Sequence, residues 1–222
     1  MIKNKRTSRA RSPEKKAAQY EKILDIGAEM FVKHGPYKFS MRSLVKHLNM
    51  SQANLYHYVQ SKRELWIAIR IRYYNQYKTG LDIIINENQG NYRILCYKIV
   101  EFFLEFASVD FNRFAMMYLV PAPSSKRIGP LEQAYKPFFI IEYLLKIMKQ
   151  ALSAGNAKDS DAIRYLYYLY GIVVGVAKVE ADLKLHTKIT EPIIIEEEKL
   201  FADEYRKFVL RELRDLINKI IP

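Results

Sequence analysis

Three adjacent side chains, Gln52, Ala53 and Asn54, have the chemistry to read base edges. The paired donor and acceptor atoms of Gln and Asn match adenine in the major groove, and the methyl of an alanine can meet the methyl of thymine. The chain around them offers groups suited to phosphate oxygens. Ser40, Arg42 and Ser43 supply hydroxyls and a guanidinium, while Tyr56, His57 and Tyr58 supply hydroxyl and imidazole donors that could fix register on a backbone. Lys62 and Arg63 stand in the first turn of a following helix, where the dipole disfavours a cation, and a phosphate beside them would account for that placement. Plainer readings stay open: Gln52 and Asn54 as polar surface residues, Lys62 as a solvated charge, and at least one of Tyr56, His57 and Tyr58 as core.

Short helices must hold these residues. Ser12 caps a first helix with Pro13 in its first turn, and apolar residues recur at helical spacing until Gly35-Pro36 stops it. Ser40 caps a helix of about two turns whose Met41, Leu44, Val45 and Leu48 share one side. Asn49 stands where a left-handed residue would end it, and Ser51 caps the next helix, which runs to Tyr58. Two short helices joined across only Asn49 and Met50 have the spacing of a helix-turn-helix.

From Ser61, which forms a capping box with Glu64, the pattern changes to long helices. Further helices are expected at Tyr92 to Ala107, Phe111 to Leu119, Leu131 to Ala154, Ser160 to Leu185 and Glu196 to Ile220. No alternating segment predicts a strand. Pro121-Ala-Pro-Ser-Ser, Gly129-Pro130, Gly155-Asn156 and Thr190-Glu-Pro192 read as loops. The expected fold is all-α: a basic disordered arm at residues 1 to 11, which could reach a minor groove, a three-helix helix-turn-helix domain at 12 to 60, and a helical body at 61 to 222.

Charge agrees with a polyanionic partner. Of 36 Lys and Arg and 24 Asp and Glu in 222 residues, residues 1 to 72 hold 16 basic and 5 acidic, so nearly all of the net +12 lies in the first third. Nucleic acid and an anionic membrane both fit such an asymmetry, but caps and turns interrupt the basic segment, unlike one amphipathic membrane helix. The single cysteine, Cys96, excludes an intramolecular disulfide and fits a reducing cytoplasm; among apolar neighbours it reads as core. The start has no signal-peptide core and the apolar runs look too short to span a bilayer, so a cytoplasmic protein is expected. The four histidines show no metal-ligand spacing, and no nucleophile–base pair or phosphate-binding glycine loop appears. Neither metal, cofactor nor enzymatic activity is expected.

These residues together carry a resemblance. Gly35, Ser40-Met-Arg-Ser-Leu-Val45, Asn49-Met-Ser51, Leu55-Tyr56 and Ser61-Lys-Arg-Glu-Leu65 resemble the N-terminal domain of the TetR family of bacterial and archaeal regulators, over roughly residues 20 to 66. The match includes the family's tyrosine, here Tyr56, followed six positions later by lysine, here Lys62. Three positions depart from it: Asn49 stands where the family usually has glycine, Val45 where it has alanine and Val59 where it has phenylalanine. Asn tolerates the left-handed conformation, and the other two are apolar exchanges.

The resemblance implies a homodimer bound to double-stranded DNA, whose affinity a small-molecule effector controls from a pocket in the helical body. The dimer would pair Tyr168, Gly171, Ile172 and Gly175 with a second helix bearing Val209, Leu213 and Leu216; the alternative is that the first helix is simply the buried centre of one subunit. Aromatic and Met residues that could line an effector pocket are Tyr77, Phe102, Phe103, Phe106, Met117, Tyr118, Tyr135, Phe139 and Tyr143, although at helical spacing such residues also fill cores. The expected function is a ligand-released repressor. A ligand-independent architectural DNA binder and an enzyme using an aromatic pocket are the rivals.

Overall fold

The computed structural model describes residues 12–125, 128–137, 139–154, 161–188, 194–195 and 198–221. The arm at residues 1 to 11 and the loops at Gly155-Asn156 and Thr190-Glu-Pro192 lie outside the described residues. In chain order the elements are α1 (Pro13–Lys38), α2 (Met41–Leu48), α3 (Gln52–Tyr56), α4 (Lys62–Glu87), α5 (Tyr92–Val109), α6 (Phe111–Tyr118), α7 (Pro130–Ala134), α8 (Phe139–Ser153), α9 (Ala162–Lys188), β1 (Ile194–Ile195), β2 (Glu198–Lys199) and α10 (Ala202–Ile220). The chain divides into two compact units, Met1–Ile69 with Val120–Ala134, and Arg70–Leu119 with Tyr135–Pro222.

In the first unit, hydroxyl caps start α1, α2 and α3. The Ser12, Ser40 and Ser51 hydroxyls accept from the amides of Lys15, Ser43 and Asn54 at 3.3, 3.0 and 3.2 Å, each satisfying a donor that has no partner inside the helix. Asn49 ends α2 in the left-handed region, at φ 49°, and lets the Met50 amide turn back onto Val45 O at 3.1 Å. Ile23, Leu24 and Phe31 of α1, Leu44 of α2, Leu55 of α3 and Leu65 of α4 are each no more than 2% exposed and form the core. A Cβ on Gly27 would lie 3.2 Å from both Ile69 Cδ1 and Leu65 Cδ2, so α1 and α4 approach tightly there.

The segment from Val120 to Ala134 belongs to this unit because α4 holds it. Trp66 Nε1 donates to Val120 O at 3.2 Å, and Arg63 Nη1 to Pro123 O at 3.2 Å. Arg63 Nε also pairs with Glu132. Glu64, buried at 2% exposure, closes the capping box by accepting from the Gln60 amide at 3.1 Å and takes the Leu131 amide at 3.0 Å. Its carboxylate lies where a Cβ on Gly129 would be, 1.8 Å from Glu64 Oε1, so a larger residue there would push the Glu64 carboxylate aside.

In the second unit α9 packs against α5, α8 and α10, and α5 also against α6, α8 and α10. A Cβ on Gly80 would sit 2.2 Å from Phe102 Cζ, which is how α4 comes close enough for Tyr77 and Phe102 to stack at 5.2 Å. Arg206 of α10 ties three helices: it donates to both Glu180 carboxylate oxygens at 2.9 and 2.8 Å, to Glu105 at 2.6 Å and to Leu104 O at 2.9 Å. Lys184 adds an ion pair to Glu180 at 2.7 Å.

Several boundaries differ from the sequence reading. The helix expected from Leu131 to Ala154 is two, α7 and α8, because Pro137 between them has no amide to donate. The helix expected from Glu196 begins at Ala202, and the stretch before it holds the antiparallel pair Ile194↔Lys199 and Ile195↔Glu198, strands that the sequence reading does not contain. Gly35 breaks α1 at φ 67°, but one further turn follows to Lys38. α9 contains a stretch, Ala162–Leu185, that by length and a hydropathy of 1.3 is apolar enough to cross a membrane, contrary to the expectation from run lengths. About a third of that stretch is buried, where it packs on three helices and carries the Glu180–Arg206 pair, and the rest is an open face.

Candidate functional site

The start of α3 is open to solvent. Gln52 and Ala53 are exposed, Asn54 is half-buried because its amide bonds to the Ser51 cap, and Leu55 behind them is fully buried. On α2, Arg42 is exposed and Ser43 half-buried. The Ser40 hydroxyl accepts from the Ser43 amide and keeps its own proton to donate. Tyr56 is 41% exposed and His57 is exposed, whereas Tyr58 is half-buried and stacks on Tyr20 at 6.3 Å. Of the three aromatic donors, Tyr58 is thus the one turned toward packing. Lys62 has protein partners: its Nζ donates to Pro36 O at 2.7 Å and to Phe39 O at 3.4 Å. These carbonyls at the end of α1 explain a cation at the start of α4 without a phosphate. Tyr37, 92% exposed beside this face, is absent from the sequence reading; the Gly35-Pro36 break that lifts it outward was the available signal.

The second unit encloses a cavity of about 80 Å³ between α4, α5, α6, α8 and α9. Tyr77, Phe103 and Tyr118 supply aromatic walls, and Ile140, Leu166 and Val173 aliphatic ones. Burial raises the Tyr77 and Tyr118 phenols well above the usual range for tyrosine and pushes the Cys96 thiol, also on the wall, up to about 12. Next to the cavity, Arg70 donates to Met116 O at 2.8 Å, to Met117 O, to Tyr135 Oη at 2.9 Å and to Tyr74 Oη at 2.9 Å. Tyr74 in turn donates to Met117 O at 3.0 Å, so a cation and a phenol hold the carbonyl end of α6.

Residues 23–69 match the family profile of bacterial regulatory proteins, tetR family. Over those residues the chain has a TetR-type N-terminal domain. No curated protein matches it. Among solved structures, a transcriptional regulator of the TetR/AcrR family from Thermobifida fusca is 16% identical, with 90% of this chain and 96% of that one covered and a TM-score of 0.56. The transcriptional regulator FadR from Bacillus subtilis, in complex with stearoyl-CoA, is 13% identical, with 91% and 100% covered and a TM-score of 0.61. AibR, in complex with isovaleryl coenzyme A and operator DNA, is 16% identical, with 87% and 97% covered and a TM-score of 0.55. The TetR fold therefore extends over both units.

Within the second unit, the nine aromatic and Met residues expected around a pocket divide. Tyr77, Phe103 and Tyr118 line the cavity. Phe102 and Phe106 pack behind Tyr77, at 5.2 and 5.1 Å, and Phe106 also lies under the Arg113 guanidinium. Met117 is buried and its carbonyl is held by Arg70 and Tyr74; Tyr135 meets Arg70; Phe139 packs edge-on against Tyr74 at 5.7 Å. Tyr143 donates to Asp82 at 2.5 Å, tying α8 to α4. Sequence reasoning missed Cys96, Tyr170 and the aliphatic wall, whose periodicity is that of any core.

The residues expected at a dimer interface divide too. Tyr168 is 54% exposed, Gly171 and Gly175 are exposed with nothing within 4 Å of an added Cβ, and Ile172 and Leu216 are half-buried. Val209 and Leu213 are 8% and 2% exposed within the protomer, because α10 turns them onto α5 and α9. The outward apolar side chain of α10 in that region is Phe208, at 53%.

Proposed function

We propose that the chain is a homodimeric transcription repressor of the cytoplasm, bound to a short inverted repeat and released when a small molecule fills the cavity of the second unit. The observation that carries this reading is the turn at Asn49, which joins α2 to an α3 whose first residues, Gln52 and Ala53, face solvent while Leu55 is anchored in the core. Gln52, Ala53 and Asn54 would read bases. Ser40, Arg42, Ser43, Tyr56 and His57 would hold phosphates, with Tyr58 and Lys62 bracing them. Two copies would meet through Tyr168, Gly171, Ile172 and Gly175 of α9 with Leu216 and Phe208 of α10, and set two α3 helices one DNA turn apart. An effector would favour a spacing that no longer fits. The coenzyme A thioesters bound by FadR and AibR support an effector with an apolar acyl portion.

Selection of bound sites from random DNA tests the reading. A two-fold symmetric site is expected. Arg42→Gln should weaken binding about equally on all sequences and lower the salt slope by about 1, whereas Gln52→Ala should relax preference at one base pair by about 1–3 kcal/mol. Arg42 is the cleaner probe of phosphate contact, because losing Lys62 also uncaps α1. Binding without sequence preference at moderate salt rejects the proposal.

A further inference from the structure

The 15 residues lining the cavity of the second unit include no Asp, Glu, Lys, Arg or His. Its polar atoms are the hydroxyls of Tyr77, Tyr118 and Tyr170 and the thiol of Cys96. Tyr77 is 1% exposed, and among the described residues none of the three hydroxyls has a hydrogen-bond partner. None of the three oxygens is a fully buried orphan, so each is reachable, and a ligand oxygen placed against it would gain a hydrogen bond. Tyr77 and Tyr118 share the wall with their phenols close enough to act on each other, and Tyr170 lies 6.0 Å from Tyr118 by ring centroids. All three phenols, like any tyrosine, are protonated at neutral pH, and burial raises them further, so they are donors. Arg70 acts on Tyr118 and Tyr170 through space, but its guanidinium already donates to Met116 O, Met117 O, Tyr74 and Tyr135. An ion in the cavity would meet no counter-charge on its wall.

Resting on the effector reading above, we infer that the cavity selects a neutral ligand, an apolar body bearing one hydrogen-bond-accepting oxygen that Tyr118 and Tyr77 hold, and discriminates against the carboxylate and ammonium compounds of the same shape. An ester or thioester qualifies; a free acid or a cationic amphiphile does not.

Calorimetry and thermal melting of the full chain with methyl octanoate, sodium octanoate and octyltrimethylammonium test this. The ester should bind at least about tenfold more tightly than either ion, and Tyr118→Phe or Tyr77→Phe should weaken the ester about tenfold while the binding of octane is unchanged. An ester that does not bind up to its solubility limit, ions that bind as tightly, or Phe variants that bind the ester like the wild type would each overturn the inference. Operator binding, followed by fluorescence anisotropy in the same samples, separates the two readings. An ester that binds as expected but leaves operator affinity unchanged refutes the effector reading and not the selectivity; ions that bind and release the operator refute the selectivity alone.

Discussion

The two units place their polar side chains in opposite directions. In the first, hydroxyls and amides sit at the starts of α2 and α3, facing water beside exposed Gln52 and Arg42. In the second, Arg70, Glu180 and Arg206 turn inward as ties between helices, and they stand around an apolar void and not on its wall. The first arrangement suits a partner that brings its own charge. The second suits one that brings none, because the wall of the void carries no charge to meet it.

The sharpest way to break this contrast is to remove one member of an interior tie. Glu180→Ala leaves Arg206 only Glu105 as a counter-ion and Arg206→Met leaves Glu180 only Lys184, so each should destabilise the second unit by about 3 kcal/mol in urea denaturation, with Glu180→Leu and Arg206→Met together recovering part of the loss. The tie also sets a pH dependence. Burial alone would raise the Glu180 carboxyl, but hydrogen bonds from Arg206 and Lys184 outweigh it and hold the group below its usual range. Its contribution is therefore complete above the unfolded value, roughly 4.3, and is lost as pH falls from there through the folded value. A melting temperature for Glu180→Leu/Arg206→Met that shows the wild-type acid sensitivity would remove Glu180 as the cause.

The first unit also has inward ties, Arg63 to Glu132 and Lys62 to the end of α1, and the most buried of them is the Glu64 carboxylate. Glu64→Ala strips an acceptor from the Gln60 and Leu131 amides and should cost about 1–3 kcal/mol. Gly129→Ala should loosen the same segment, seen as faster amide exchange over residues 128 to 134. Unchanged exchange in both variants would mean that Trp66 and Arg63 alone hold it.

The smallest expected effect concerns Asn49. Asn49→Gly should change the melting midpoint little, and Asn49→Val should cost about 1–2 kcal/mol because a β-branched residue resists the left-handed region. An equal response to both would show that the turn relaxes and that α2 and α3 do not depend on it.

These contrasts explain how much the sequence disclosed. Ser40, Ser51, Ser61 and Asn49 act on groups within four residues along the chain, so their spacing alone reveals α2, α3 and the start of α4. Lys62 does not, because its carbonyl partners lie 26 and 23 residues away. The cavity is less legible still. Whether Phe103 or Phe106 faces the void depends on how α5 is rotated against α4, α8 and α9, and periodicity gives the apolar face without saying what it meets. The grip of α4 on Gly129 and Leu131 is equally hidden, being a match between a carboxylate and a loop far away in the chain.

One wall residue has a consequence for how the molecule behaves outside the cell. Thiolate, not thiol, attacks disulfides and peroxides, and Cys96, the chain's single sulfhydryl, is buried with its proton held up to about 12. Air cannot stitch two copies together through it. The assembly state of an aged, oxidised sample is therefore the one that surface packing alone sets.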